Sequence, residues 1–336
     1  MPQRRTLLAT ALAAPFAGLA AGTAGAQSGT QSGAATWPSR PVRIVEPGAP
    51  GGGNDTTIRL FAPYLDQALG QPFVVDNRPG AGGRVGVEHA FRTAPDGSTL
   101  LLGNAGSNGI NAAIYPDLPY DLEKDFVPIS LLVTGPNALV VNPRIFPVAD
   151  VAGLIAAIKA QPAGHYNYGS GGVGSSAHLS AELFCMMAGV RMEHIPYRGA
   201  SQMGQGVISG DTPFLIANMV NIMPFVRRGD VKLLAVTSMA RWADTPDVPT
   251  LHESGLEGFE TIAWNALFGP PGLPSQVADR LVPALQRIGR MPDVIERVKL
   301  IGGQVVTSGP DVLAARVRSD IAKWKDLAAR ANIRIT

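Results

Sequence analysis

Apolar residues recur along the chain in two rhythms. Short β-branched or leucine-rich runs alternate with longer stretches whose apolar positions repeat every three or four residues, and glycine-rich breaks separate them. Val42 to Val45 is the first run. It empties into a loop of Pro47, Gly48, Pro50 and three glycines, Gly51 to Gly53. A helix follows, capped by Asn54 or Asp55, with Ile58, Phe61, Ala62, Leu65 and Leu69 on one face and Gly70 at its end. Pro63 is expected to kink or delay it. Phe73 to Val75 reads as a strand, Pro79 to Gly83 as a second glycine-rich loop, and Arg84 to about Arg92 as a helix. TAPDG is a turn, STLLLGN a buried strand and AGSNGIN a loop of small polar residues.

The pattern then restarts. Pro136 to Pro143 is a strand, VADVAGLIAAIKAQP a helix, and HYNYGSGGVGSSAHLSAELFCMMAG a strand, loop and helix. VRMEHIPYRG, TPFLIANMVN, VKLLAVTS and TIAWNALFGP each carry a strand; MGQGVISG, 273–290 and 310–331 read as helices. Strand-loop-helix alternation marks a parallel or mixed sheet covered by helices, with ligands bound beyond the carboxyl ends of the strands. Two such halves joined by extended segments predict two α/β lobes, a mixed sheet in each, facing across a cleft. The crossings are placed near Thr134 to Val140 and near Thr261 to Gly269.

The 336 residues suffice for two packed cores. Arg4 and Arg5 precede the Ala-rich LLATALAAPFAGLAAGTAGA, which ends in Ala24-Gly25-Ala26, the form of a signal peptide cleaved before Gln27. The arginine pair partly resembles a twin-arginine signal, so that route and Sec both stay open. Residues 27–36 read as a flexible leader. Residues 1–26 hold two of the 28 basic residues and none of the 26 acidic ones, so the remaining chain is neutral, 26 against 26. That removes the support for nucleic-acid or anionic-membrane binding. The single cysteine, Cys185, cannot close a disulfide within the chain.

The candidate chemistry is anion binding. Glycines bare the backbone amides, and the first-turn N–H groups of a helix have no intrahelical acceptor, so a carboxylate or phosphate can bind without a cationic side chain. An ordinary tight turn has the same sequence. Gly169, Gly171 and Gly174 also fit G-x-G-x-x-G, with Glu193 about twenty residues on. The feeding strand is short and polar, Glu193 falls inside its own strand, and export takes the protein away from nicotinamide pools. A smaller anion, met by the amides and by Ser170, Ser175 and Ser176, fits better. No nucleophile elbow or P-loop occurs, and the five histidines show no metal-ligand spacing. No catalytic group, metal or cofactor is expected.

PGAPGGGNDTTIR, VVDNRPGAGG, APDGSTLLLGN, INAAIYPDLPYDLEKDFVPISLL, LVVNP, YGSGGVGSSAHLSAELF, IPYRG, LLAVTS, DVPTLHESGLEGFE and IAKWKDLA follow one another as in the substrate-binding proteins of tripartite tricarboxylate transporters, the Bug family. The resemblance covers about Trp37 to Ala329. It implies a monomeric two-lobed, type II-like periplasmic binding protein that closes on a small carboxylate and delivers it to a permease with a large and a small subunit. By position it assigns ligand contacts to Gly51, Gly52, Gly53, Asn54 and Asp55 in the first loop. Asn104, Gly106 and Ser107 face the same cleft. In the second half it assigns Tyr168, Gly169, Ser170, Gly171, Gly174, Ser175 and Ser176, with His178 just behind, and Asn218.

Lobe 1 is expected to span 37–136 and 265–336, and lobe 2 residues 137–264. Departures from the family pattern at Asn54, Ala112, Gln202, Gly206, Thr212-Pro213, Ile216-Ala217 and Asn265-Ala266 alter the distal wall and leave the choice of carboxylate open, aromatic acids included. Two other functions stay in view: an orphan sensor that presents its closed form to a signalling partner, and an exported or dinucleotide-dependent enzyme using the Gly169 to Gly174 loop.

Overall fold

The computed structural model describes residues 37–330, so the signal peptide and leader expected before Trp37 lie outside the described residues. Three parallel strands begin the fold: β1 (Val42–Glu46), β2 (Phe73–Asn77) and β3 (Thr99–Asn104), with β1 in the middle. Between them run the helices α1 (Gly53–Leu69) and α2 (Arg84–Phe91). The α1 helix passes through Pro63 without ending, and its N-cap is Gly52, which puts Asn54 and Asp55 inside the first turn rather than at the cap. After β3 the expected loop is instead a π-helical turn, Gly106–Ile110, running into the short α3 (Asn111–Ile114).

The strand β4 (Val127–Val141) is 15 residues long, nearly twice what the sequence pattern suggested. Beyond it come α4 (Val151–Lys159), β5 (Asn167–Ser170), α5 (Ser176–Ala188), β6 (Glu193–Pro196), α6 (Ala200–Ser209), β7 (Phe214–Asn218), α7 (Met219–Arg228) and β8 (Lys232–Val236). The chain returns through β9 (Ile262–Gly269), α8 (Ser275–Ile288), α9 (Pro292–Leu300), β10 (Gln304–Val305) and α10 (Pro310–Arg330). None of the described helices is long and apolar enough to cross a membrane.

One strand serves both sheets. Val127 to Pro136 of β4 pairs antiparallel with β9, which also pairs with β3, while Asn137 to Val141 pairs with β7. The partner change falls at Pro136, which has no N–H to give to a ladder. Beside it, Asn137 N donates to Thr237 Oγ1 at 2.8 Å, Asn137 Nδ2 to Thr261 Oγ1 at 3.0 Å, and Ser180 Oγ to Thr261 Oγ1 at 3.0 Å. These buried donors and hydroxyls pair with one another, which spares most of the desolvation cost, while Asn137 Oδ1 is left without a hydrogen-bond partner among the described residues.

Helices cover both faces of each sheet, and this explains why the strands read as unbroken apolar runs. Ile44, Leu100 and Leu102 pack with Ile58, Phe61 and Leu65 of α1 and Leu281 and Leu285 of α8. Val45 and Leu101 point the other way, toward Val87 of α2 and Leu313, Val317 and Ile321 of α10. In the second sheet Phe214 and Ile216 meet Phe184 of α5, while Leu215 and Ala217 meet Val207 of α6 and Ile222 of α7. The α10 helix bridges the two: its later residues Trp324, Leu327 and Ala328 join the core of α5 and β7, together with Ile110 and Ile114.

Candidate functional site

The first glycine loop is held from below by carboxyls. Asp55 is buried, and its Oδ2 accepts from Gly51 N at 2.9 Å, while Arg59 Nε reaches both oxygens at 2.9 Å and Asn77 Nδ2 reaches Oδ1 at 3.0 Å. Burial alone would raise this acid; the hydrogen bonds from Arg59, Gly51 and Asn77 outweigh it and hold the carboxyl below its usual range. With its oxygens spent on these donors, Asp55 braces the loop. Gly52 N bonds Ala49 O at 3.2 Å, and the first helical bond is Thr56 N to Gly52 O at 2.9 Å. The amides of Gly53, Asn54 and Asp55 lie ahead of that bond and are the ones left to an anion. Asn54 Oδ1 accepts from Asn265 Nδ2 at 2.8 Å, joining two positions that both depart from the family pattern.

The third loop is less open than its sequence suggests. Asn104 Oδ1 accepts from Gly106 N at 2.9 Å and Ser107 N at 3.0 Å, so its own side chain uses those amides. In the second half, Ser175 caps α5: its Oγ accepts from His178 N at 3.3 Å, and Leu179 N bonds Ser175 O at 3.1 Å. The amides of Ser176 and Ala177 are left over at that helix end. Behind the loop, Gly174 N donates to His178 Nδ1 at 3.3 Å, and Ser170 Oγ lies 2.6 Å from His194 Nε2. The rings of His178 and His194 stack with centroids 4.1 Å apart, and His194 stacks on Tyr168 at 5.0 Å. Tyr168 in turn donates its hydroxyl proton to Glu182. Burial pushes both histidines down to about 4, so they are neutral at ordinary pH and support the loop without offering charge.

These pieces converge on a cleft of about 620 Å³, within the range of small-molecule sites. Of the sequence-predicted residues, Gly52, Gly53, Asn54 and Asp55 line it from β1–α1, Asn104 and Gly106 from the end of β3, Gly171, Ser175 and Ser176 from the second half, and Asn218 from the cap of α7. Gly51, Ser107, Tyr168, Gly169, Ser170, Gly174 and His178 are not on its wall. Tyr168 and Ser170 are fully buried in β5, the strand that feeds the loop. The lining also contains residues that were not foreseen: Glu46, the second glycine loop at Gly80 to Gly83, Tyr115, Tyr197 and Arg198. Arg198 is exposed and makes no ion pair among the described residues, so the wall does carry a cation. IPYRG was legible as a motif, but nothing in its spacing says that the strand β6 ends at the cleft.

The two halves approach closely around this space. A Cβ on Gly53 would stand 2.7 Å from Asn221 Oδ1 of α7, and one on Gly82, where φ is +61°, would stand 2.7 Å from Val173 O. Glycine lets the backbone at Gly82 meet that of Val173, and lets the backbone at Gly53 meet the side chains of Asn221 and Val220.

Residues 57–333 match the family described as the tripartite tricarboxylate transporter family receptor, TctC. The chain belongs to the TctC family. Among solved structures, this TctC chain is similar to Rpa4515 of R. palustris with adipate, at a TM-score of 0.85 and 32% identity over 89% of this chain and 99% of that one. It is similar to MatC (Rpa3494) of Rhodopseudomonas palustris with bound malate, at 0.82 and 33% over 87% and 99%. It is also similar to the periplasmic binding protein BugD, at 0.83 and 32% over 89% and 99%. The TctC fold is therefore a two-lobed binding-protein fold with a mixed sheet, as the resemblance implied, and the chain is a solute-binding receptor of that family.

Proposed function

We infer that this receptor captures a small dicarboxylate between its lobes, in the periplasm, and hands it to a tripartite tricarboxylate-type permease without changing it chemically. The observation that carries the reading is the convergence of three helix N-termini, those of α1, α5 and α7, on one cleft. Each presents first-turn amides and the positive end of a helix dipole to whatever lies between. One carboxylate docks against the amides of Gly53 to Asp55 and of Ser176 and Ala177, with the Ser176 hydroxyl beside them. Arg198 answers a second anionic group, which favours a diacid over a monoacid. Neighbouring structures that hold adipate and malate support the same class.

The division of lobes that goes with this reading follows the change of partners in β4: 37–136 and the chain from Ile262 on one side, 137–261 on the other, three residues earlier than the sequence suggested, with α10 straddling both. Contacts from both lobes exist together only in the closed form, so the ligand stabilises closure. A thermal-shift panel of mono-, di- and tricarboxylates on the purified protein tests the assignment. A diacid at one hundred times its dissociation constant adds about 2.7 kcal/mol, a clear rise in melting temperature. A panel in which no carboxylate moves the transition overturns the reading.

A further inference from the structure

The carboxyl of Glu46 lies beneath the cleft. The side chain is fully buried at the end of β1, and its Oε2 accepts from Gly48 N at 2.8 Å and from Asn77 Nδ2 at 2.9 Å. Its Oε1 is buried with no hydrogen-bond partner. The same Asn77 amide reaches Asp55 Oδ1 at 3.0 Å, so two buried carboxyls share one donor. Gly48 covers the acid with main chain alone, and a Cβ there would stand 2.9 Å from Oε1. Two carboxyls in one buried site do not both keep their charge cheaply. Asp55 has the Arg59 guanidinium and the Gly51 amide and stays ionised. Glu46 makes no ion pair among the described residues and is the member of the pair that protonates more readily.

A ligand carboxylate on the amides of Gly53 to Asp55 brings a third negative charge to this corner. We propose that Glu46 takes up a proton when that carboxylate docks, so that capture of an anion by this receptor is coupled to proton binding. The coupling rests on the carboxylate reading above and acts through space on the amide site. Burial, with the charge of Asp55 adding to it, already pushes the acid up to about 7 against the pull of Asn77, Gly48 and the nearby Asn54 side chain. Below that pH the proton is in place before the ligand arrives. Above it, the ligand has to bring one, and affinity declines toward about tenfold per pH unit.

The other charged and titratable groups around the corner do not account for such a slope. On α1, Asp55 is held low and is paired with Arg59 at 2.9 Å. At the end of β2, Asp76 is paired with Arg78 at 2.9 Å and with Arg43 of β1 at 3.7 Å. His89 of α2 is pushed down by burial and by Arg78. Around the cleft, His178 and His194 are pushed down to about 4, the Tyr115 hydroxyl is raised, and Arg198 is the exposed guanidinium on the wall.

Calorimetric titration of adipate and of malate into the purified protein and its Glu46→Gln variant, at pH values from 5.5 to 8.5, tests the coupling. Glutamine keeps an oxygen for Gly48 and Asn77 and cannot ionise. The wild type is expected to bind with constant affinity on the acid side and to lose up to about tenfold per unit above pH 7, while the variant stays level at the acid-side affinity. At pH 8, wild-type enthalpies in buffers of different ionisation enthalpy are expected to show close to one proton taken up per ligand. This second measurement decides the matter alone if the variant does not fold. Zero uptake, or an equal slope in the variant, overturns the coupling and leaves carboxylate capture standing. Absence of binding by both acids at every pH removes the coupling together with the dicarboxylate assignment beneath it.

Discussion

Asp55 serves the proposed anion site in two ways, its main-chain amide facing the ligand and its side chain bracing the loop. Its carboxylate would repel a ligand carboxylate, yet it fixes Gly51 while the amides of Gly53, Asn54 and Asp55 lie ahead of the first helical bond. Asp55→Ala strands the Gly51 amide and the Asn77 side chain, and is expected to cost about 1–3 kcal/mol in urea unfolding and to weaken ligand binding in parallel. Unchanged affinity in the folded variant would detach the loop from the site. The histidine pair makes a separate expectation. Because His178 and His194 have folded values near 4 against the usual 6.5, the stability they lend is complete above pH 6.5 and is lost as pH falls toward 4, by up to about 1.4 kcal/mol per unit for each. Glu46 has the opposite sign: raised from 4.5 to about 7, its contribution is complete below 4.5 and is lost as pH rises to 7. Thermal midpoints of wild type and Glu46→Gln against pH should therefore diverge in the variant's favour between pH 4.5 and 7, by up to ~3 kcal/mol. Parallel curves would show that Glu46 does not titrate there.

Among the elements, the glycine loops were readable because glycine leaves a mark in sequence that few other needs produce. Their roles differ, and only their hydrogen bonds tell them apart. The loop at Gly51 to Gly53 delivers a free helix end; the turn after Asn104 consumes its amides on the Asn104 side chain. The loop at Gly80 to Gly83 makes contact across the cleft. Gly53 is the sharpest test of that contact. Alanine suits a helix position better than glycine by about 1 kcal/mol, so Gly53→Ala should not lower the melting temperature. Its methyl would meet Asn221 Oδ1 at 2.7 Å and Val220 Cβ at 3.2 Å, so affinity should fall with stability intact. A variant that binds normally would mean that α1 and α7 need not approach for capture. Tyr168 and Ser170 mislead at this scale, because a motif shared by the strand and the loop it feeds does not say where burial ends and the cleft begins.

At the scale of the molecule, the two sheets are joined through β4, which changes partners at Pro136, and through the return into β9. In the closure proposed above, these two crossings are the hinge about which one lobe turns against the other. For 294 compact residues the radius of gyration is about 19 Å. X-ray scattering should give a value near this with saturating diacid and a larger one without it. Identical curves would argue against lobe closure as the binding step.

Sequence by itself determined the alternation of strands and helices, the runs buried on both faces, the glycine loops and the chemistry they permit, because each depends on residues close together in the chain. It also carried the family, through motifs in fixed order. Only the tertiary structure decided that Asn54 meets Asn265, that Asn77 links Glu46 to Asp55, that His178 stacks on His194, and that Arg198 reaches the cleft wall. Those pairings join residues far apart along the chain, and no local pattern of apolar and polar positions specifies which distant partner a buried polar group will find.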